Sequence, residues 1–141
     1  MLIQASAVEI EGRAAILEGP PGSGKSSLAL SLIDRGARLI GDDGVMLARE
    51  GGRLVASPPP NITGLLEIRG VGLVNLPTVA DAPVALVLSL VGVGHAERLP
   101  GMLVTRDYLG MSIPVLPFVP GDKAPAVRAE WALRIHGLAV G

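Results

Sequence analysis

The chain has 141 residues, 49% of them hydrophobic and only 2% aromatic, with a formal net charge of −1. That is the length of one domain with an aliphatic core, and the balanced charge supplies no overall field to draw nucleic acid or an acidic membrane surface. There is no cysteine, which excludes disulfides and thiolate metal sites and fits a reducing cytoplasm.

The N-terminus, MLIQASAVEIEG, lacks the basic start and long apolar stretch of a signal peptide. Residues 5–18 read as a hairpin: Val8 and Ile10 alternate with polar neighbours, Glu11 and Gly12 turn, and residues 14–17 make a short buried strand. Residues 24–35 read as a helix with the apolar stripe Leu28, Ala29, Leu32 and Ile33, ended by Gly36 in a left-handed conformation. Residues 38–40 form a short strand, and residues 45–48 and 53–56 a second hairpin around Gly51 and Gly52. Pro58, Pro59 and Pro60 stop it. Residues 64–74 are strand-like but interrupted by glycine, with Leu66, Ile68 and Val71 expected inside; residues 77–83 form a loop. The longest apolar run, residues 84–94, is about half the length needed to span a bilayer, so residues 84–90 are expected as a central strand. Prolines and glycines break up residues 100–121, leaving one strand at 112–116. A closing helix is expected at 124–136, with Asp122 as cap, Pro125 in the first turn, and Val127, Trp131, Ile135 and Leu138 facing the core. Met102, Met111 and Trp131 are assigned to the core. The order of elements predicts an α/β fold built on a mixed sheet, with residues 1–141 as a single domain.

The chemistry is concentrated in GPPGSGKSS, residues 19–27. Gly19, Gly24, Lys25 and Ser26 satisfy G-x-x-x-x-G-K-[ST] between a strand and a helix, the context that a P-loop requires. Glycines let successive N–H groups surround phosphate oxygens, and the helix start adds the positive end of its dipole. Lys25 supplies a point charge for the β- and γ-phosphates, and the Ser26 hydroxyl can ligate Mg²⁺. Gly22, Ser23 and Ser27 complete the nucleotide-binding set. The loop alone does not say what becomes of the phosphate, because kinases, ATPases and GTPases all use it.

Two further stretches narrow that choice. Asp42 and Asp43, in IGDDGV, follow a strand that a right-handed crossover returns to the P-loop edge of the sheet. One can ligate Mg²⁺ and the other can accept a proton from an attacking hydroxyl; an Asp-Asp-Gly turn in solvent has the same sequence. In LLEIRGVGLV, Glu67 and Arg69 project to one face of a strand. The spacing leaves open whether they are a surface pair or, beside Gly70 and Gly72, part of a ligand site. The scattered arginines form no nucleic-acid stripe, and neither His95 nor His136 has a partner at metal-ligand spacing.

Together GPPGSGKS, GDD and LLEIRGVG resemble the catalytic domain of HPr kinase/phosphorylase, over roughly residues 4–120. The resemblance implies a sheet like that of phosphoenolpyruvate carboxykinase. It also implies transfer from ATP, with Mg²⁺, to a serine of the small phosphocarrier HPr, and in many members the reverse reaction with inorganic phosphate. By resemblance Asp42 is the general base, Asp43 and Glu67 join Ser26 around the metal, Arg69 belongs to the signature, and Arg98 reaches the active site. It implies a cytoplasmic homo-oligomer, usually a hexamer, without membrane or nucleic-acid partners. The chain matches the short single-domain form, with no separate N-terminal domain expected. It departs from the pattern at Gln4, at Pro21 in place of a loop serine, at Ser27 in place of an acid, and at residues 114–123, which replace a basic loop. The rival readings are a small-molecule kinase or ATPase, and a nucleotide sensor without chemistry.

Overall fold

The computed structural model describes residues 1–60 and 64–139. A two-residue strand β1 (Leu2–Ile3) precedes the expected hairpin of β2 (Ser6–Ile10) and β3 (Arg13–Glu18). Helix α1 (Lys25–Asp34) buries Leu28, Ala29 and Leu32, with Ile33 partly covered, as its stripe requires. Gly36 stops it at φ +109, and the N–H groups of Gly36 and Ala37 donate to the carbonyls of Ile33 and Leu32, both at 3.0 Å. Those two bonds satisfy carbonyls that the last turn leaves open. Strand β4 (Arg38–Gly41) follows, then the hairpin of β5 (Val45–Glu50) and β6 (Arg53–Ser57). Strands β7 (Leu65–Ile68) and β8 (Gly72–Asn75) form a separate two-stranded hairpin lying beside α1. The chain ends with β9 (Ala82–Leu90), β10 (Val104–Tyr108), β11 (Met111–Phe118) and α2 (Pro125–His136).

Strand β9 is the hub of the main sheet, whose order is β1-β5-β6-β9-β3-β2-β4. On one side it runs parallel to β3. On the other, its N-terminal end pairs antiparallel with β6 and its C-terminal end pairs parallel with β11, which carries β10. Strand β2 is antiparallel to both β3 and β4, so β4 runs parallel to β3 with β2 lodged between them. The C-terminal ends of β3, β4, β9 and β11 therefore lie along one edge, the edge at which open α/β sheets bind ligands.

The register shifts once between β3 and β9, where Ala14 faces Val84 and Ala15 faces Leu86. The extra residue, Ala85, is a bulge. It lets Ala85, Leu86, Leu88 and Leu90 all join the core under the two helices. Val84 and Val87 turn to the second core, inside the curl of β5, β6, β10 and β11, with Ile16, Leu47, Leu54 and Ile113.

Several expectations are corrected. Strand β10 lies in the stretch read as broken, and β11 extends through both Pro114 and Pro117. A proline has no N–H for a ladder; here Pro114 faces β10 before pairing with β9 begins at Val115, and Pro117 faces β9 after pairing with β10 has ended. Each proline thus sits where the strand has one neighbour. Val71 is 74% exposed because it lies in the β7–β8 turn rather than on a strand. Helix α2 is preceded by Ala124 at φ +49, with no side-chain cap from Asp122, although Pro125 opens it as expected. Its large apolar stripe points outward: Trp131 is 55% and Ile135 68% exposed, Leu138 is also exposed, and Val127 is half-buried. The inward face is Ala126, Ala129, Ala132 and Leu133, small enough for the helix to approach the sheet and α1 closely. Glu130 is buried with them and accepts Arg35 Nε at 3.0 Å, tying the helices together. Met102 and Trp131 are thus surface residues, while Met111 packs partly buried against the second core. Among the described residues, no helix is long and apolar enough to cross a membrane.

Candidate active site

Strand β3 ends at Glu18, and the chain then wraps the N-terminus of α1. At Gly19 a Cβ would stand 2.5 Å from Ser23 Oγ and 3.2 Å from the Leu90 carbonyl oxygen. Only glycine lets the loop lie this close to the end of β9. The Ser23 N–H donates to Pro20 O at 3.0 Å, and Gly24, at φ +101, leads into the helix. The first-turn N–H groups of α1 have no partners within the helix and carry its positive end. Lys25 Nζ donates to the carbonyls of Gly19 at 2.7 Å and Pro20 at 3.4 Å, so the ammonium is held at the mouth of the same loop. This is a concave array of donors with one point charge, suited to phosphate oxygens.

The crossover brings Asp42 to this loop, as its place after β4 implies. Ser26 Oγ donates to Asp42 Oδ1 at 2.9 Å, across 16 residues of sequence. Ser6 Oγ, fully buried on β2, donates to the same oxygen at 2.8 Å, and the Asp43 N–H reaches Ser6 Oγ at 3.4 Å. Asp42 is half-buried and fixed by two hydroxyls; the Asp43 side chain is exposed, on a residue at φ +58. The Ser26 and Asp42 oxygens make a hard-donor pair that fits Mg²⁺, which takes one or two protein oxygens and completes its shell with phosphate and water.

Glu67 on β7, Arg69 in the hairpin turn and Arg98 in the loop after β9 are exposed. None of the three side chains makes a hydrogen bond or ion pair among the described residues. No three acidic or histidine side chains converge as a metal cluster among the described residues. Gly22, Ser23 and Ser27 lie on the loop and the first turn of α1, and Ser23 Oγ is buried without a hydrogen-bond partner among the described residues.

Three contributors have no signature in the sequence. Ser6 is one polar residue in an alanine-flanked strand. Glu18, the residue before Gly19, is clasped by both terminal nitrogens of Arg106, one of which also donates to the Tyr108 hydroxyl. The Glu18 carboxylate holds the Arg106 guanidinium above its usual pKa, against the opposing effect of partial burial. Arg128 on α2 donates to the carbonyls of Val119 (3.0 Å), Pro120 and Lys123 (2.8 Å), fixing the loop after β11 beside the P-loop.

Strand, glycine loop, helix start, lysine and serine–aspartate contact at one sheet edge define a P-loop phosphate-binding domain. The HPr Serine kinase C-terminal domain model matches residues 1–121, and the chain belongs to that family. Its sequence is 37% identical to HPr kinase/phosphorylase of Clostridium tetani over 126 residues, covering 81% of this chain and 41% of that protein. To the Bordetella petrii HPr kinase/phosphorylase it is 34% identical over 139 residues, 90% of this chain and 45% of the relative. The chain thus spans less than half the length of these relatives. The structure matches the Hpr(Ser) kinase/phosphatase of Coxiella burnetii with a TM-score of 0.83 at 30% identity, over 96% of this chain and 90% of that one. The mixed α/β sheet expected from sequence is therefore the family's fold.

Proposed function

We propose that this protein transfers the γ-phosphoryl group of ATP to a serine of an HPr-like phosphocarrier protein. The observation that carries the reading is the Ser26–Asp42 contact of 2.9 Å at the mouth of the P-loop, which sets a carboxylate beside the phosphate cradle. The names of the relatives, HPr kinase/phosphorylase, supply the acceptor. Gly19, Gly22, Ser23, Gly24 and Ser27 hold the phosphates, and Lys25 leaves its loop carbonyls for β- and γ-oxygens. Ser26, Asp43 and Glu67 are the oxygen donors proposed for Mg²⁺, which supplies charge neutralisation when bound. Asp42 takes the proton as the acceptor serine oxygen bonds to phosphorus and the bond to ADP breaks. In the reverse direction Asp42 returns that proton while inorganic phosphate takes the phosphoryl group. Arg98 and Arg69 are proposed to meet charge on the transferring group.

The same contact favours a second reading, in which Asp42 acts on the metal side through Ser26. Intact-mass spectrometry of HPr incubated with the protein, ATP and Mg²⁺ tests both. One added phosphoryl group, lost with Lys25→Ala and reduced at least about a hundredfold with Asp42→Asn, is the expected result. Full activity of Asp42→Asn at raised Mg²⁺ assigns it to the metal instead. ATP consumption without HPr would favour an ATPase or small-molecule kinase, and binding without turnover a sensor. A cytoplasmic homo-oligomer is part of the proposal, supported by the exposed Trp131, Ile135 and Met102; light scattering gives its mass.

A further inference from the structure

Strand β3 puts a carboxylate one residue before the phosphate loop. Glu18 is its last residue, and the carbonyl of the next, Gly19, accepts Lys25 Nζ at 2.7 Å. The alternate residues Ala14 and Ile16 belong to the second core, so Glu18 emerges on that face of β3, opposite α1. Its side chain is 24% exposed. The geometry points to Arg106 as a positioning residue of the phosphate site: it acts through Glu18, masking a negative charge that would otherwise oppose a polyphosphate in the loop. The inference rests on the phosphate-binding reading above and goes beyond it to a residue that β10 supplies.

The pairing is two-pronged and held from a second direction. Arg106 Nη1 and Nη2 donate to the two oxygens of Glu18, the latter at 2.8 Å, so each carboxylate oxygen accepts an N–H. Such a fork matches a carboxylate in geometry as well as in charge. Nη1 also donates to the Tyr108 hydroxyl at 3.1 Å. Tyr108 is buried, two residues further along β10 and on the same face as Arg106. In the sheet β9 and β11 lie between β3 and β10, and the curl is what brings the two side chains together.

Folding stability is a poor reason for this arrangement. The Arg106 side chain is 44% exposed, and ion pairs this open to water add little to stability. A neutral residue at the end of β3 would need no partner at all. The loop, however, gathers N–H dipoles and one ammonium around an anion, and a bare carboxylate one residue away subtracts from that field. Joined to the fork, Glu18 and Arg106 together present no net charge to the ligand.

Calorimetric titration of the full chain with the Mg²⁺ complexes of ATP and pyrophosphate tests this, with chemical denaturation to confirm that each variant is folded. Arg106→Ala uncovers the carboxylate and should weaken both ligands by at least about tenfold at low ionic strength. In about 1 M salt, where the screening length falls to about 3 Å, the loss should shrink to less than about threefold. Glu18→Gln in the Arg106→Ala background should restore both affinities to within about threefold of the unaltered protein. Glu18→Gln alone leaves the Arg106 charge unopposed and should bind both ligands at least as tightly as the unaltered protein. A purely structural tie between β3 and β10 predicts otherwise: Glu18→Gln binds more weakly, and the double variant recovers nothing. Either of those results, or an Arg106→Ala loss that salt does not reduce, overturns the masking role. Should Arg106→Ala not fold, Glu18→Gln decides alone, since weaker binding there is enough to overturn it. Failure of the phosphate reading looks different: the unaltered protein binds neither ligand, or Lys25→Ala weakens neither.

Discussion

The two helices lie on the same face of the sheet and are amphipathic in different ways. Helix α1 turns its largest apolar residues, Leu28 and Leu32, into the core. Helix α2 turns alanines inward and leaves Trp131 and Ile135 in solvent. For α1, burial of large side chains anchors the segment that must hold the P-loop steady. For α2, close approach matters more than buried volume, because the helix has to bring Arg128 within reach of the loop after β11 and Glu130 against Arg35. An apolar stripe reports which side chains are greasy, and the core takes whichever face fits the space available.

That contrast can be broken at three places. Leu32→Ala removes a fully buried side chain under α1 and should cost about 2–5 kcal/mol in chemical denaturation. A loss below about 1 kcal/mol would mean that α1 is not anchored by its stripe. Ala129→Leu puts bulk into the tight α2 contact and should cost about 1–3 kcal/mol. Its stability unchanged, α2 would have room for larger residues and the close-approach account would fail. Trp131→Ala should move the stability of the isolated chain by less than about 0.5 kcal/mol. A larger effect that grows with protein concentration would show that a second copy covers Trp131.

The P-loop and the α1 stop were legible because both are written in contiguous residues. Glycine spacing, a lysine and a following apolar period specify the backbone locally, and Gly36 ends the helix as it reads. Asp42 was legible one step further out, since the handedness of a crossover returns β4 to the loop whatever lies between. Ser6 was not, because its meeting with Asp42 depends on the antiparallel register of β2 against β4. Arg106 and Glu18 are 88 residues apart, and nothing local marks them as partners. Strand β10 was hidden by its polar centre, Thr105-Arg106-Asp107, and β11 by prolines whose tolerance depends on which side is paired. Helix α2 offered two stripes, and hydropathy favours the one that faces water. For Glu67, Arg69 and Arg98, their place in the signature or in a loop was readable.

The edge where β3, β4, β9 and β11 end has a consequence for how this protein can change over generations. The phosphate loop, the aspartate turn, the segment after β9 and the segment after β11 are each rooted in a different strand. A mutation in one alters a single neighbour of the ligand and leaves the footing of the other three in place. On the proposed function, acceptor preference and nucleotide preference are separately heritable traits on a shared frame, and lineages can drift in one while selection holds the other.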